Sequence, residues 1–235
     1  MDIVICVGPN DAHVVSRCID SVRQYIQYRT IVCIAAPGIE PIQNVVWIHE
    51  STFPFTKKDM NAGERSGWYL QQLLKIYAPI VLPQLSDTYL ILDADVVFHK
   101  HISFSNQGII QFNVGTEYHR PYFYHMKRLH PALNKVRDVS GICHLMPMKR
   151  HIVKELVRQV EVYHSSTFWK VFVDAIDPHE RPYSGASEYE ILFSFTLSQF
   201  PNEAAVRPLE WVNSDSVTPG YTGVYEAIHY YMRKA

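Results

Sequence analysis

The first part of the sequence alternates apolar runs with turn residues and an amphipathic segment. The run "DIVICVG" ends in Pro9, Asn10 and Asp11, and a second run, "TIVCIAAPG", again stops at Pro-Gly. Between the two runs, residues 14–22 carry apolar side chains at helical spacing. This order of strand, helix and strand predicts a parallel sheet with a right-handed crossover. Ligands of such sheets bind beyond the carboxyl ends of the strands.

The remaining segments continue the same pattern. "NVVWIHE" predicts a third strand, and "ERSGWYLQQLLKIYAPIVL" predicts a helix that ends before Pro79 or Pro83. The strongest strand signal is "TYLILDADVVF". Beyond it we expect short strands near "GIIQFNV" and "GICHLMP", helices over "MKRHIVKELVRQVEVYH" and "SEYEILFSFTLSQF", and a loop-rich tail. The sequence thus predicts one α/β domain with a mostly parallel central sheet flanked by helices.

Composition excludes several classes of protein. Hydrophobic residues make up 47% of the 235 residues and charged residues 19%, which is a globular balance. The formal net charge is -1, and basic residues are dispersed, so we expect no nucleic-acid partner. The apolar runs are too short for a membrane span, and the first residues lack the features of a secretory signal. Four cysteines without CxxC spacing indicate reduced thiols, so we expect a cytoplasmic protein.

Two aspartates interrupt the strongest strand signal. In "YLILDADVVF", Asp93 and Asp95 flank Ala94, and residues two apart on a strand share one face. Carboxylate oxygens suit Mg²⁺ or Mn²⁺, which commonly bind one or two protein carboxylates together with substrate phosphates. Buried carboxylates need a cation or hydrogen bonds, although two aspartates can also simply end a strand in a solvated turn.

These features resemble the GT-A fold of nucleotide-sugar glycosyltransferases. The segments "RSGWYLQQLLK", "LILDADVVF", "GICHLMPMKR" and "SEYEILFSF" look like those of a group of viral and bacterial GT-A proteins. The resemblance spans about residues 3 to 232. It implies a single Rossmann-like domain over 1–235, with a nucleotide-binding half at 1–98 and an acceptor-binding half at 99–235. It also implies a nucleotide-diphosphate sugar as donor, with a UDP-sugar favoured, and a glycan or other hydroxyl acceptor.

The resemblance further implies a Mn²⁺ or Mg²⁺ site. Asp95 matches the aspartate that ligates the metal directly, whereas Asp93 matches the one that contacts the ribose or reaches the metal through water. A late histidine usually completes the metal shell in this fold, and His229 in "EAIHYY" is the candidate. The alternative for His229 is an ordinary packing or surface histidine.

Other residues are matched to the donor. The loop of Gly8, Pro9, Asn10 and Asp11 corresponds to the nucleoside-binding position, or it is a plain Gly-Pro turn. Arg65 could clamp phosphate or donor hydroxyls, or it is a solvated charge at a helix end. Of the adjacent glutamines 71 and 72, one should face the site; Gln71 is included among the donor-binding candidates, although the sequence does not distinguish the two.

Catalysis requires a group that accepts the proton of the acceptor hydroxyl. The candidates are Glu188, Glu190 and His144. The resemblance places an acidic residue at the start of the late helix, which suits Glu188, and His144 could hydrogen-bond a sugar hydroxyl. Each role also has an ordinary structural alternative. Negative charge in a first helical turn is favoured in any protein, Glu190 could complete a capping box with Ser187 as the N-cap, and His144 could be a core histidine. An inverting outcome is preferred. The segment "TEYHRPYFYHMKRLHP" predicts an aromatic loop near the acceptor.

Three other functions compete with glycosyl transfer. Haloacid-dehalogenase phosphatases carry a Thr or Ser soon after their aspartate pair, but Val96 and Val97 stand here. Nucleotidyltransferases of related fold usually have a Gly-rich basic loop after the first strand, which "VGPNDAH" matches poorly. A non-catalytic sugar-binding domain is disfavoured because an idle site gains nothing from two desolvated carboxylates.

Overall fold

The computed structural model describes residues 1–228. In chain order the elements are β1 (Asp2–Val7), α1 (Val15–Tyr25), β2 (Ile31–Ala35), β3 (Val46–His49), α2 (Ser66–Val81), β4 (Thr88–Asp93), β5 (Val96–Phe98), β6 (Ser105–Asn106), β7 (Ile109–Phe112), α3 (Arg120–Leu129), β8 (Leu145–Lys149), α4 (Arg150–His164), α5 (Phe168–Asp174), α6 (Glu188–Gln199), β9 (Ala204–Val206), β10 (Trp211–Ser214) and β11 (Tyr225–Ile228). Short 3₁₀ turns precede α2.

A five-stranded sheet in the order β3-β2-β1-β4-β8 forms the centre of the protein. All neighbours pair in parallel except β4 and β8, which are antiparallel. Strand β1 is buried along its whole length, as expected for a central parallel strand covered on both faces. The predicted α/β fold with a mostly parallel central sheet is therefore confirmed.

Alternate side chains of the sheet enter two apolar cores. Val4 and Ile91 point to a core that also contains buried side chains of α2, α4 and α6. Ile3 and Leu90 point to the opposite core, which α1 covers with Cys18, Ile19 and Val22. Helices on both faces leave the carboxyl ends of the parallel strands as the open edge where ligands bind in this class of fold.

Two smaller sheets lie beside the central one. The first has the order β10-β11-β5, and the second has the order β6-β7-β9. Strand β11 runs antiparallel to β5, and the backbone N–H of Ile228 donates to the carbonyl of Asp95 at 2.9 Å. The end of the described chain is thus held next to the aspartate pair.

The structure differs from the sequence expectations in two places. The predicted aromatic loop is instead helix α3, because Pro121 suits a first helical turn and Tyr122, Met126 and Leu129 form a buried face at helical spacing. Helix α2 passes Pro79 and ends at Val81, which agrees with the second of its two predicted ends, before Pro83. The predicted loop-rich tail contains β10 and β11, which pair with each other, and β11 also pairs with β5, which is distant in sequence.

The four cysteines are all free and buried, which agrees with the predicted reduced thiols. Over residues 1–228, none of the helices has both the length and the apolar character needed to cross a bilayer.

Arg150 holds the carboxyl end of α2. Pro79 lies in the last turns of this helix, and the Arg150 guanidinium donates to the carbonyls of Pro79 at 2.5 Å, of Leu82 at 3.3 Å and of Leu85. Helix ends leave carbonyls without intrahelical partners, and a cation there also interacts favourably with the helix dipole. Arg150 therefore fixes α2 against the start of α4.

We expect Arg150→Ala to lower the free energy of unfolding by about 1.5–3 kcal/mol, because charged hydrogen bonds to buried carbonyls are lost. Urea unfolding measures the change. The matched control is Arg158→Ala, whose side chain is 61% exposed and pairs with Glu155 three residues earlier. The control should lose much less stability, because its ion pair is exposed to solvent. Equal losses in the two variants would contradict a capping role for Arg150.

Candidate metal and donor site

The two aspartates lie at the carboxyl edge of the central sheet. Asp93 is the last residue of β4, whereas Ala94 and Asp95 form the turn that leads into β5. Asp93 pairs with Cys6 on β1, which brings the loop after β1 to the same edge. Both carboxylates are largely buried, with Asp95 only 8% exposed. The pair therefore occupies the ligand-binding edge that the strand order predicts.

His144 lies directly beside Asp93. Its carbonyl accepts the backbone N–H of Asp93 at 2.9 Å, and its Nδ1 lies 3.1 Å from Asp93 Oδ2. The residue has a left-handed backbone with φ of 66°, and its ring contacts Trp211 edge-on at 5.4 Å between centroids. Such backbone strain in a residue other than glycine persists only where its surroundings hold it, and it is common at functional sites.

A candidate metal centre is formed by Asp93, Asp95 and His144. One ligand atom from each residue lies within 4.8 Å of the others. Two carboxylates supply the hard oxygens that Mg²⁺ and Mn²⁺ prefer, and an imidazole is compatible with Mn²⁺. The donor set therefore fits the predicted ion. The predicted ligand His229 lies outside the described residues.

Lys75 on α2 connects the site to α6. Its ammonium lies 2.5 Å from Asp93 Oδ1 and 2.7 Å from Glu188 Oε1. Tyr189 adds a further hydrogen bond, because its hydroxyl donates to the same Asp93 oxygen at 2.9 Å. Lys75, Glu188 and Tyr189 are all buried. These contacts join β4, α2 and the start of α6 into one buried ion cluster.

The cluster shifts the pKa values of its members in opposite directions. Burial alone would raise the pKa of Asp93, but the Lys75 ammonium and the hydrogen bond with His144 outweigh burial, and the pKa lies below its ordinary value. Burial likewise opposes the charge of Lys75, yet Asp93 and Glu188 raise its pKa above the ordinary value. Asp93 and Lys75 are therefore both charged at neutral pH.

Helix α6 begins at the site, with two of its first residues pointing into the buried cluster. Ser187 Oγ accepts the backbone N–H of Glu190 at 3.3 Å, so the predicted N-cap is confirmed. The reciprocal half of the capping box is not formed, since the Glu190 carboxylate instead accepts a hydrogen bond from Ser140. Gln72 holds the turn before α6 by donating to the Ala186 carbonyl and accepting from the Glu188 N–H.

The predicted nucleoside loop closes on itself at the end of β1. The N–H of Gly8 donates to Asp11 Oδ2 at 3.2 Å, and Pro9 and Asn10 form the exposed tip. Burial, with smaller contributions from the charges of Asp95 and Asp93, raises the pKa of Asp11 to about 6.

Arg65 is engaged in holding a loop. Its guanidinium donates to the Tyr183 carbonyl at 2.6 Å and to Ser184 Oγ at 2.9 Å, and it stacks on the Trp68 ring. The residue thereby pins the segment before α6 to the start of α2. Of the two adjacent glutamines, Gln72 is buried and makes these inter-element contacts, whereas Gln71 is half-buried.

The aromatic segment divides into core and surface side chains because it is helical. Tyr122 and His125 are buried, and His125 hydrogen-bonds the Phe172 carbonyl at 2.9 Å. Burial lowers the pKa of His125 to about 4, so it is a neutral core residue. Tyr118 and Tyr124 are exposed. Only the latter two of these four have faces available to a partner.

Sequence reasoning missed Lys75, Gln72 as the inward glutamine, and Tyr189. One signal for Lys75 was present, since it is the only charged residue of α2 and follows two leucines on a helix that is otherwise apolar or uncharged. A charged residue in such a helix needs a buried partner. The partners themselves are 18 and 113 residues away in sequence.

The loop before β8 approaches α6 closely at Gly141. A Cβ atom at this position would lie 2.6 Å from Phe193 Cβ and 2.8 Å from the Tyr189 carbonyl oxygen. We expect Gly141→Ala to lower the free energy of unfolding by about 1–3 kcal/mol, because backbone atoms must move apart. Urea unfolding is again the measurement. Gly67→Ala is the control, since its Cβ would meet nothing closer than 3.8 Å; its stability should be unchanged or higher by up to about 1 kcal/mol. A neutral Gly141→Ala would contradict this close approach.

Comparisons with known proteins agree with this architecture. The family of unknown function DUF6492 matches residues 3–195, whereas a search of curated proteins by sequence finds no significant match. Among solved structures, mouse xyloside xylosyltransferase 1 in its apo form is similar, with a TM-score of 0.52 and 11% identity over 97% of both chains. The galactosyltransferase LgtC in complex with donor and acceptor sugar analogs has a TM-score of 0.51 and 10% identity, over 97% of this chain and 87% of LgtC. An active-site mutant of LgtC has a TM-score of 0.54 at 9% identity, with the same coverage. These similarities show the GT-A fold, and the chain belongs to the DUF6492 family.

Proposed function

We propose that this protein is a metal-dependent glycosyltransferase that uses a nucleotide-diphosphate sugar, with a UDP-sugar as the favoured donor and a glycan or other hydroxyl compound as acceptor. The observation that carries the proposal is the cluster of Asp93, Asp95 and His144 at the carboxyl edge of a GT-A sheet. The similar structures include a xylosyltransferase and a galactosyltransferase, the latter with sugar analogs bound. Their chemistry supports sugar transfer as the class of reaction.

The residues around the cluster suit such a reaction. Transfer from a nucleotide donor builds negative charge on the departing diphosphate, and a bound Mn²⁺ or Mg²⁺ ion would stabilise that charge. Asp95 and His144 would hold the ion, and Asp93 would bind it directly or through a water molecule, or orient the donor ribose. The loop from Gly8 to Asp11 would bind the nucleoside, and Arg65 and Gln71 remain candidates for contacts with the donor. His229 follows Ile228, whose N–H bonds the Asp95 carbonyl, and this supports the prediction that His229 is a further ligand.

Glu188 is the proposed base that accepts the proton of the acceptor hydroxyl, with an inverting outcome. Its position next to Asp93, across the Lys75 ammonium, supports a place within the reacting region. Tyr118 and Tyr183 offer exposed ring faces on which a glycan acceptor could stack. A cytoplasmic location remains part of the proposal and depends on the sequence composition and the reduced cysteines.

Nucleotide binding is the first test. With Mn²⁺ and a saturating UDP-sugar, the melting temperature of the protein should rise by about 5–10 °C, and EDTA should abolish the rise. A panel of other nucleoside-diphosphate sugars identifies the preferred donor. If no nucleotide stabilises the protein under any metal condition, the enzyme proposal is wrong.

Asp95→Asn tests the metal ligand in the same assay. This variant should lose the metal-dependent stabilisation by UDP, because an amide is a poorer ligand for a hard cation than a carboxylate. Asp20→Asn, at a site where the carboxylate is 72% exposed on α1, should keep the full response. Unchanged UDP binding by Asp95→Asn would refute its role as a ligand.

Glu188→Gln tests the proposed base. Loss of a general base should reduce transfer by about 10²- to 10⁴-fold while UDP-sugar binding persists. UDP release in the presence of a panel of glycan acceptors measures transfer. Glu190→Gln changes a second carboxylate of the same helix and should reduce transfer far less. Full activity of Glu188→Gln would remove it as the base, and binding without transfer by the wild type would favour a non-catalytic sugar-binding domain.

A further inference from the structure

The candidate metal site contains a cation of the protein itself, the ammonium group of Lys75. Lys75 is 2% exposed and is the only charged residue of α2. An ammonium in such a place is strongly disfavoured unless carboxylates and hydrogen bonds compensate it, and Asp93 and Glu188 provide this compensation. One of these two carboxylates belongs to the aspartate pair that is expected to serve a divalent ion.

Both oxygens of Asp93 already have protein partners. Oδ1 accepts from the Lys75 ammonium at 2.5 Å and from the Tyr189 hydroxyl at 2.9 Å. Oδ2 lies 3.1 Å from His144 Nδ1. A carboxylate has about four lone-pair positions, so these three groups leave little of Asp93 for a metal. A divalent ion that approached it would also meet the positive charge of Lys75 at short range.

We propose that Lys75 competes with the divalent ion for Asp93 and thereby keeps metal affinity low when no donor is bound. When a donor binds, the negative charge of its diphosphate attracts the divalent ion and offsets the repulsion between that ion and the Lys75 ammonium. Metal binding becomes coupled to donor binding, so the protein does not hold a tightly bound ion at an empty site. Lys75 is in this sense a positioning residue, and the inference depends on the proposed metal site.

Charge counting identifies a variant that isolates this effect. Asp93, Asp95, Glu188 and Lys75 together carry a formal charge of about -2 at neutral pH. Lys75→Met combined with Glu188→Gln removes one charge of each sign, so the total is unchanged and Glu188 is not left as a buried carboxylate without its counterion. The only intended difference is that Asp93 no longer has an ammonium on Oδ1.

Titration with Mn²⁺ alone, without any nucleotide, tests the proposal by calorimetry or by the electron paramagnetic resonance signal of free Mn²⁺. The double variant Lys75→Met and Glu188→Gln should bind Mn²⁺ at least about tenfold more tightly than the wild type, as expected for removal of a competing unit charge at contact distance. Lys75→Arg keeps the charge and should stay within about threefold of the wild type. Circular dichroism and thermal melting establish that each variant is folded.

An opposite or absent change overturns the proposal. A purely structural role of Lys75 would predict weaker or unchanged Mn²⁺ affinity in the folded double variant, because loosening a site does not improve it. Absence of Mn²⁺ binding by all three proteins also overturns it. Failure of the wild type to bind any nucleotide sugar would instead contradict the proposed function, and it would leave a tightened Mn²⁺ affinity in the double variant as valid support for competition by Lys75.

Discussion

The ion cluster around Lys75 is the interaction on which the rest of the site depends. Its ammonium contacts the last residue of β4 and the first residue of α6, while its backbone belongs to α2. Removing one member of a buried ion pair typically costs about 3–5 kcal/mol, because the partner charge is left without compensation. The cluster therefore ties the positions of three elements together more strictly than apolar packing could. Apolar contacts tolerate small displacements of one element along another, whereas a charged hydrogen bond requires a defined distance and direction.

The surrounding contacts help to hold β4, α2 and α6 in these relative positions. Gln72, one turn before Lys75 on α2, fixes the backbone just before α6, and Arg65 fixes the loop that precedes that turn. On the other side, Gly141 lets the segment before β8 approach α6 closely, and His144 then reaches Asp93. The site is thus assembled from the end of β4, helix α2, the start of α6 and the loop before β8. Its precision comes from side-chain to backbone hydrogen bonds between elements that are far apart in sequence.

The sequence was sufficient for the parts of the fold that depend on local pattern. The strand and turn signals of β1, β2 and β4 are strong because buried parallel strands are continuously apolar, and their strand order places Asp93 at the ligand edge. Helix α3 was missed because its many aromatic and histidine side chains hide an ordinary amphipathic pattern. The partners of Lys75 could not be predicted, since no spacing rule connects residues 75, 93 and 188. The roles of the donor loop, of Glu188 and of His229 remain predictions.

The division of labour between the two aspartates follows from where each stands. Asp93 ends a strand, so its backbone is fixed by β1 and β8, and its carboxylate is surrounded by donors from α2, α6 and His144. Asp95 lies in the turn beyond the strand, and its carbonyl anchors the end of β11. A carboxylate held on several sides by hydrogen-bond donors suits orientation of a ligand. The strand-to-turn boundary within "DAD" therefore gives two identical side chains different surroundings. We infer that this difference, more than their shared face, lets the two aspartates take different roles at the site.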